Sequence, residues 1–170
     1  MSRPADGLPS QPPETRVRFL HPGDVALAQR GERLDTLLGS CVAVLLSDPH
    51  RTVGAMCHIV HTSARRPPDP RDTRYGTAAM RALFAELRAV GFAPEHCQAW
   101  LCGGGNMFPD QLNPYPVGDN NLDWVNDYLA DVGIEVLAES VGGPYYRRVS
   151  WTIGQDAPDI EVIPVADNPL

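Results

Sequence analysis

Apolar residues recur along this chain in two spacings, and each spacing predicts a different kind of secondary structure. Alternation with period two, or a short apolar run bounded by turn residues, is typical of β-strands. These patterns predict strands at residues 16–19, 25–28, 42–46, 52–60, 98–102, 134–138, 149–153 and 160–165. The runs at 42–46 and 52–60 are apolar at odd and even positions alike, which favours strands covered on both faces.

Two other segments carry apolar residues at helical spacing. The first helix is predicted at residues 77–90, and Gly91 stops it. The second is predicted to begin with Asn120 or Asn121 as its N-cap and to end at Gly133. Two helices are too few to cover both faces of a doubly wound parallel sheet. We therefore expect an α+β fold, a layered α/β sandwich in which mixed β-sheets pack together with about two helices on an outer face.

Chain length and the distribution of proline predict a single domain with short tails. The 170 residues suffice for one sizeable hydrophobic core. Residues 1–15 contain four prolines and almost nothing to bury, so we expect a disordered N-terminal tail there. The domain is expected at residues 16–165, and residues 166–170 are expected to form a C-terminal tail.

The charged residues exclude several classes of function. All 14 basic residues are arginine, so no lysine is present to form a Schiff base or to bind nucleotide phosphates. The formal net charge is −7, and this argues against a nucleic-acid partner, which requires a basic surface. The chain therefore depends on other side chains for any chemistry that it performs.

The cysteines are the next candidates, and their state depends on the compartment. The sequence contains no apolar run of about 18 residues and no apolar segment near its start, so we expect no membrane insertion and a cytoplasmic location. There Cys41, Cys57, Cys97 and Cys102 are expected to be reduced thiols. Since no pair has CxxC spacing, we predict no zinc site.

The segment 41–60 brings together a thiol and an imidazole. A symmetric hairpin about the turn at residues 48–51 would place Cys41 directly opposite His58, on the same face of the sheet. His58 would then lower the pKa of the thiol and hold it as the reactive thiolate. A register slip of one residue would separate the two side chains. In that alternative Cys41 is a small buried apolar residue and His58 a core histidine.

Residues upstream of Cys41 complete a candidate hydrolytic site. Backbone N–H groups of the Gly39–Ser40 segment are expected to face a developing oxyanion. Thr36 and Asp35 are both candidates for the third group, which orients the imidazole. Gly103–Gly105 has no GxGxxG pattern, so we interpret it as a structural turn at the rim of the site rather than a phosphate loop.

Several ordered motifs together resemble the CheD family of chemoreceptor glutamine deamidases. Residues 36–44 (TLLGSCVAV) resemble its nucleophile motif, and residues 53–58 (VGAMCH) resemble its histidine strand. Four later matches follow in order: Arg74-Tyr75, the glycine-rich segment 103–108 (GGGNMF), Gly118 with Asn121, and Gly142-Gly143 with Arg147. The resemblance extends over residues 16–165 and is identified by the order and spacing of these motifs.

The resemblance implies both a reaction and a fold. The reaction is hydrolysis of selected receptor glutamine side chains to glutamate with ammonia release, with Cys41 as nucleophile and His58 as general base. It needs no cofactor, and a weak glutamyl methylesterase activity would accompany it. The fold would be shared with bacterial toxin deamidases. The family's third catalytic residue is a threonine, which matches Thr36, but in some members it lies six positions before the cysteine, where this chain has Asp35.

The resemblance also implies a rim and partners. Residues expected to contact substrate or a partner at the rim are Arg74, Tyr75, Gly104, Asn106 and Phe108. The partners implied are the cytoplasmic helices of methyl-accepting chemoreceptors and a CheC-like phosphatase of phosphorylated CheY, and we expect a monomer. The alternative function is a regulatory adaptor that binds receptors or such a phosphatase, with incidental catalysis. A cysteine hydrolase of small amides is a weaker alternative, which would need a deep closed pocket.

Overall fold

The computed structural model describes residues 15–62, 69–112 and 116–168. Its helices are α1 (Gly76–Ala89) and α2 (Val117–Val132), with short 3₁₀ turns at Pro94–His96 and Val165–Asp167. Its strands, in chain order, are β1 (Val17–Leu20), β2 (Val25–Gln29), β3 (Arg33–Leu38), β4 (Val42–Ser47), β5 (Val53–Ile59), β6 (Gln98–Gly103), β7 (Glu135–Val141), β8 (Tyr145–Thr152) and β9 (Asp159–Pro164).

The strands form two mixed sheets that pack face to face. One sheet has the order β1-β3-β8-β9 and the other the order β2-β5-β4-β6-β7. The pairs β1–β3 and β6–β7 are parallel, and the remaining pairs are antiparallel. Between the sheets lies one apolar layer, which includes Leu38, Ala43, Met56, Trp100 and Trp151. The expected α+β sandwich is confirmed.

The helices cover the other face of the five-stranded sheet. There Leu83 of α1 and Val125 of α2 pack in one cluster with Val44 and Cys57 of the sheet. Every residue of β4 and β5 is buried, because one face of these strands meets the second sheet and the other meets the helices. The uninterrupted apolar runs at residues 42–46 and 52–60 therefore arise, as predicted, from burial of both faces of these strands.

The hairpin register differs from the sequence-based expectation by two residues. Ala43, not Cys41, lies opposite His58. The turn itself is where it was expected, since the N–H of Arg51 donates to the carbonyl of Asp48. The Asp48 carboxylate then accepts the N–H groups of the two residues that follow Arg51, and these bonds extend the loop before pairing begins. A shift of two residues leaves each side chain on its expected face, because side chains alternate with period two.

Several elements also differ from the predictions: β8 begins four residues earlier than expected, and β7 ends three residues later. β3 was not predicted as a strand, although its burial alternates strictly between partly buried and buried residues. α2 begins at Val117 with Pro116 as its N-cap, so the expected cap at Asn120 or Asn121 is wrong. Its end is as expected, because Gly133 adopts the left-handed conformation with φ of 81°.

The expected tails fall mostly outside the described residues. Residues 1–14 of the expected N-terminal tail and the last two residues of the chain are not described, so the predicted disorder stays a prediction. Part of the expected C-terminal tail belongs to the 3₁₀ turn Val165–Asp167. In the described parts of the chain, no helix has the length and the apolar character that crossing a membrane requires.

Candidate active site

The candidate site is a cavity of about 560 Å³ at one end of the sandwich. β3, β5 and β6 end there, and β4 and β8 begin there. Its polar lining consists of Ser40, Cys41, His58 and Tyr146, and Gly39 lies among them. Its apolar walls are formed by Phe19, Leu20, Pro22, Leu37, Met107 and Phe108. The structure therefore brings the predicted thiol and the predicted imidazole into one cavity.

Cys41 and His58 are diagonal rather than direct neighbours on the sheet. Cys41 directly precedes β4 and lies two residues from Ala43, which is the partner of His58. Diagonal positions are about 7–8 Å apart between Cα atoms, and the side chains come closer. Among the described side chains, no hydrogen bond joins the thiol to the imidazole. Cys41 is half-buried, whereas Cys57, Cys97 and Cys102 are buried.

A buried hydroxyl fixes the orientation and the protonation of His58. The Thr36 hydroxyl donates to the carbonyl of Leu20 at 2.8 Å. Its oxygen lies 2.9 Å from Nδ1 of His58. Because the only hydrogen of the hydroxyl is already donated, Nδ1 must carry the hydrogen of this second bond. The neutral ring then presents an unprotonated Nε2, which is free to accept a proton.

The structure separates the two candidates for the third group. Asp35 and Thr36 are adjacent on β3, so their side chains point to opposite faces of the sheet. Asp35 forms an ion pair with Arg33 at 3.0 Å. Thr36 alone of the two contacts His58. The role of orienting the imidazole is therefore open to Thr36 and not to Asp35.

Burial favours the neutral forms of both candidate catalytic groups. Desolvation lowers the pKa of His58 to about 4, although the nearby Asp24 carboxylate acts in the opposite direction. Desolvation also raises the pKa of the Cys41 thiol above its ordinary value. At neutral pH the resting pair is therefore a thiol and a neutral imidazole. The expected resting thiolate is not favoured.

The backbone of the nucleophile loop, Gly39–Cys41, is held from behind by the glycine-rich segment. The N–H of Gly104 donates to the Cys41 carbonyl at 2.8 Å, and the N–H of Gly105 donates to the Gly39 carbonyl at 2.9 Å. Gly103 has φ of 107°, and a Cβ at this position would meet the Cys41 carbonyl oxygen. In the described structure the N–H groups of Ser40 and Cys41 donate to no backbone carbonyl, and the Cys41 N–H lies against its own thiol.

Two further motifs of the sequence pack around the glycine-rich segment. A Cβ at Gly118 would meet the carbonyl of Gly104, so the first turn of α2 packs tightly on the glycine-rich segment. The buried guanidinium of Arg147 donates to the Gly142 carbonyl at 2.7 Å and to the Ser140 hydroxyl at 3.0 Å. These residues support the site from outside the cavity.

The expected rim is only partly present. Phe108 lines the cavity, and Asn106 lines a smaller neighbouring cavity of about 110 Å³. Gly104 lies behind the nucleophile loop against Leu122 and not at the rim. Arg74 forms an ion pair with Asp72, and Tyr75 packs on His61, so neither lines the cavity. Contact of these two residues with substrate or a partner stays a prediction.

Sequence reasoning missed two groups of residues at the site. The walls formed by Leu37, Met107 and Tyr146 come from segments that meet only in the folded sandwich, and no local pattern marks them. Asn121 is buried beside the nucleophile loop, whereas from the sequence it was predicted only as a possible cap and as part of a family motif, with no place in the site. A signal for it existed: Asn121 lies four residues before Val125, on the buried stripe of α2.

Comparison with known proteins places this chain in a family. The family model described as CheD chemotactic sensory transduction matches residues 60–156. Three similar proteins are each named a probable chemoreceptor glutamine deamidase. CheD 2 of Albidiferax ferrireducens is 34% identical, over 86% of this chain and 88% of that protein. CheD 3 of Dechloromonas aromatica is 32% identical, over 86% of this chain and 87% of that protein. CheD of Pseudomonas fluorescens is 39% identical, over 84% of this chain and 82% of that protein.

Among solved structures, the Bacillus licheniformis hypothetical protein YfiH matches with a TM-score of 0.41 and 14% identity, over 77% of this chain and 61% of that chain. This likeness is too slight to carry a conclusion, and the expected likeness to toxin deamidases stays a prediction. The family model, in contrast, spans more than half of the chain, and the similar CheD proteins align with most of it. This chain belongs to the CheD family.

Proposed function

We propose that this protein is a protein-glutamine deamidase that hydrolyses selected glutamine side chains of chemoreceptors to glutamate and releases ammonia. Membership of the CheD family and the names of its relatives support this proposal. The observation that carries it is the cavity shared by Cys41 and His58, in which Thr36 leaves Nε2 of the imidazole free. A half-buried thiol that shares a cavity with an unprotonated imidazole nitrogen is the minimal equipment for nucleophilic attack on an amide.

In the first half of the proposed reaction the thiol is acylated. As Sγ of Cys41 attacks the carboxamide carbon, the thiol proton passes to Nε2 of His58, and an S–C bond forms. The carbonyl oxygen becomes an oxyanion, which the N–H groups of Ser40 and Cys41 stabilise. The C–N bond then breaks, the imidazolium gives its proton to the leaving nitrogen, and ammonia departs. The thioester remains.

In the second half water releases the product. His58 takes a proton from water, the hydroxide adds to the thioester carbon, and the C–S bond breaks with return of the proton to sulfur. Glutamate and the free thiol result. The same acyl-enzyme forms from a glutamyl methyl ester by loss of methanol, so a weak methylesterase activity belongs to the proposal.

The lining of the cavity suits a neutral substrate. Its described walls carry apolar side chains and uncharged polar groups, with no arginine or carboxylate among them. A carboxamide enters such a cavity at lower desolvation cost than a carboxylate does. The reaction converts the first into the second, so the cavity favours release of the product.

The proposal extends to the biological setting. Deamidation changes the charge of the receptor helix and so tunes chemotactic adaptation. Receptor helices are the proposed substrates, while binding of a CheC-like phosphatase and a monomeric state remain predictions. A regulatory adaptor without required catalysis is the competing outcome of the test below.

The proposed function is tested with the cytoplasmic fragment of a chemoreceptor from the same genome. We expect the protein to release ammonia from it and to add about one dalton at each converted glutamine, located by peptide mass spectrometry. A glutamine-to-alanine variant of the converted site serves as the matched control and should release none. Receptor binding without any ammonia release would reject the deamidase and leave the adaptor.

We further expect deamidation to persist at an unusually low pH. His58 must be neutral to accept the thiol proton, and desolvation lowers its pKa from 6.5 to about 4. The acidic limb of kcat/KM against pH should therefore have its midpoint near 4 rather than near 6.5. A midpoint near the ordinary histidine value would show that His58 is solvated in the active protein.

The folded fraction must be measured over the same pH range. Between the ordinary and the lowered pKa of His58 the unfolded chain binds a proton at this residue that the folded chain does not bind. Protonation of His58 therefore does not lower the free energy of unfolding at pH values above the ordinary pKa. Below it, the free energy of unfolding falls as the pH falls toward the lowered pKa of the folded protein. Circular dichroism at each pH separates a loss of activity caused by unfolding from one caused by protonation of His58 in the folded protein.

A further inference from the structure

The side chain of Asn121 is a buried amide whose nitrogen and oxygen both form hydrogen bonds. Its nitrogen donates to the Ser40 carbonyl and to the Val60 carbonyl, each at 3.2 Å. Its oxygen accepts the Thr62 hydroxyl at 2.9 Å. Both carbonyls can only accept, so the amide nitrogen must be the atom that faces them. The orientation of the amide follows from its partners alone.

The amide lies where the hairpin that carries the catalytic pair opens. The ladder between β4 and β5 ends at the pair Val42–Ile59. Beyond that pair the chain continues to the nucleophile loop on one side and to Val60 on the other. The nitrogen of Asn121 joins the carbonyls of Ser40 and Val60 across this opening. It therefore replaces the ladder bond that is missing beside Cys41.

The same two bonds connect the two catalytic segments. Ser40 directly precedes Cys41, and Val60 lies two residues after His58. The nucleophile loop is already held on its other side by the N–H groups of Gly104 and Gly105. With Asn121 the carbonyls of Gly39, Ser40 and Cys41 all accept hydrogen bonds, so the backbone of the loop is fixed in place.

Neither capping nor packing explains an asparagine at this position. α2 begins four residues earlier, so Asn121 caps nothing. Asparagine is a weak helix former, and burial of its amide carries a desolvation cost unless every polar atom is bonded. An apolar residue would fill the buried stripe of α2 at lower cost. What asparagine adds is the connection between the two segments.

We propose that Asn121 is a positioning residue that sets the placement of Cys41 relative to His58 through the backbone of Ser40 and Val60. It contacts neither the thiol nor the cavity, and its effect on the reaction is indirect. The inference rests on the proposed deamidase function for its rate measurement, but the placement of the thiol is measurable without any substrate.

The test compares two substitutions at this position with matched changes one residue earlier. Asn121→Asp keeps the oxygen that accepts from Thr62 and replaces the donating nitrogen by an acceptor, whereas Asn121→Leu removes all three bonds. Asn120→Asp and Asn120→Leu make the same changes at an exposed helical position. Should Asn121→Asp fail to fold because it buries a carboxylate, Asn121→Leu retains an uncharged side chain for the measurement.

We expect the Asn121 variants to lose about 10- to 100-fold in kcat, since a small displacement of a reacting group has an effect of this size, with little change in KM. The Asn120 controls should retain wild-type kinetics. The second readout is the pH dependence of Cys41 alkylation by iodoacetamide, counted by intact mass. Release of the loop should lower the apparent pKa of the thiol toward its ordinary value, because desolvation is what raises it.

A purely structural role gives a different result. Global unfolding exposes Cys57, Cys97 and Cys102 as well, so four alkylations per chain would accompany the loss of activity. That outcome, or wild-type kcat with an unchanged alkylation profile, overturns the proposal. If the wild-type protein releases no ammonia, the proposed function fails, and the alkylation profile alone decides whether Asn121 positions Cys41.

Discussion

Replacement of Cys41 by alanine is expected to abolish ammonia release from the receptor fragment and to leave the fold intact. In the proposed reaction the sulfur carries the acyl group, and the other described lining residues offer in its place only the less nucleophilic hydroxyls of Ser40 and Tyr146. Loss of a nucleophile of this kind reduces kcat by roughly 10⁴-fold or more. Cys41 is only half-buried, so removal of its sulfur should change the free energy of unfolding by about 1 kcal/mol or less.

A second cysteine supplies the control for this experiment. Cys97 is buried on the helix side of the five-stranded sheet, in a different apolar layer from the catalytic cavity. Cys97→Ala should retain wild-type kcat, even if it lowers stability. Ammonia release measured enzymatically and near-ultraviolet circular dichroism provide the two readouts. Retention of activity by Cys41→Ala would contradict the proposed mechanism at its first step.

The placement of Cys41 and His58 in one cavity was predictable because it depends on local rules. Both residues lie near one turn, and an alternating side-chain pattern keeps them on the same face even when the register moves by two residues. The register itself was not predictable. It is set by hydrogen bonds from the Asp48 carboxylate to the backbone after Arg51, which turn composition alone does not specify.

The remaining parts of the site depend on contacts between distant segments. Thr36 reaches His58 only because β1 and β3 belong to the sheet that packs over β5. Thr36 and Asp35 remained alternatives because no strand was predicted there and the spacing of the matching threonine from the cysteine varies by one residue. The protonation of the pair was also unpredictable, because it follows from desolvation and hence from the packing of the whole sandwich.

The second helix shows how a tertiary contact overrides a local rule. Asparagine before an apolar stripe favours an N-cap, and this pattern predicted a start at residue 120 or 121. The helix instead begins at Val117, because Gly118 packs against the glycine-rich segment and Asn121 is used by the nucleophile loop. Asn121, which suggested the wrong start of the helix, is the residue for which we propose a positioning role.

Replacement of Thr36 by valine is expected to reduce kcat by about 100-fold while Cys41 and His58 remain present, because an imidazole in the wrong tautomer is a poor base. Valine preserves the shape of the side chain but removes the oxygen that accepts the hydrogen of Nδ1. The ring is then free to carry its hydrogen on Nε2, where the thiol proton must arrive. The Leu20 carbonyl also loses its donor, at a cost in stability of about 1–3 kcal/mol.

Thr36→Ser and Asp35→Asn separate this effect from a general loss of stability. Serine restores the hydroxyl and should recover most of kcat, because only the oxygen and its hydrogen act on the imidazole. Asp35→Asn breaks the ion pair with Arg33 on the opposite face and should leave kcat unchanged. The reverse result, a large loss in Asp35→Asn and wild-type kcat in Thr36→Val, would return the orienting role to Asp35. It would require the two faces of β3 to exchange in the active protein, which a strand paired on both sides does not permit.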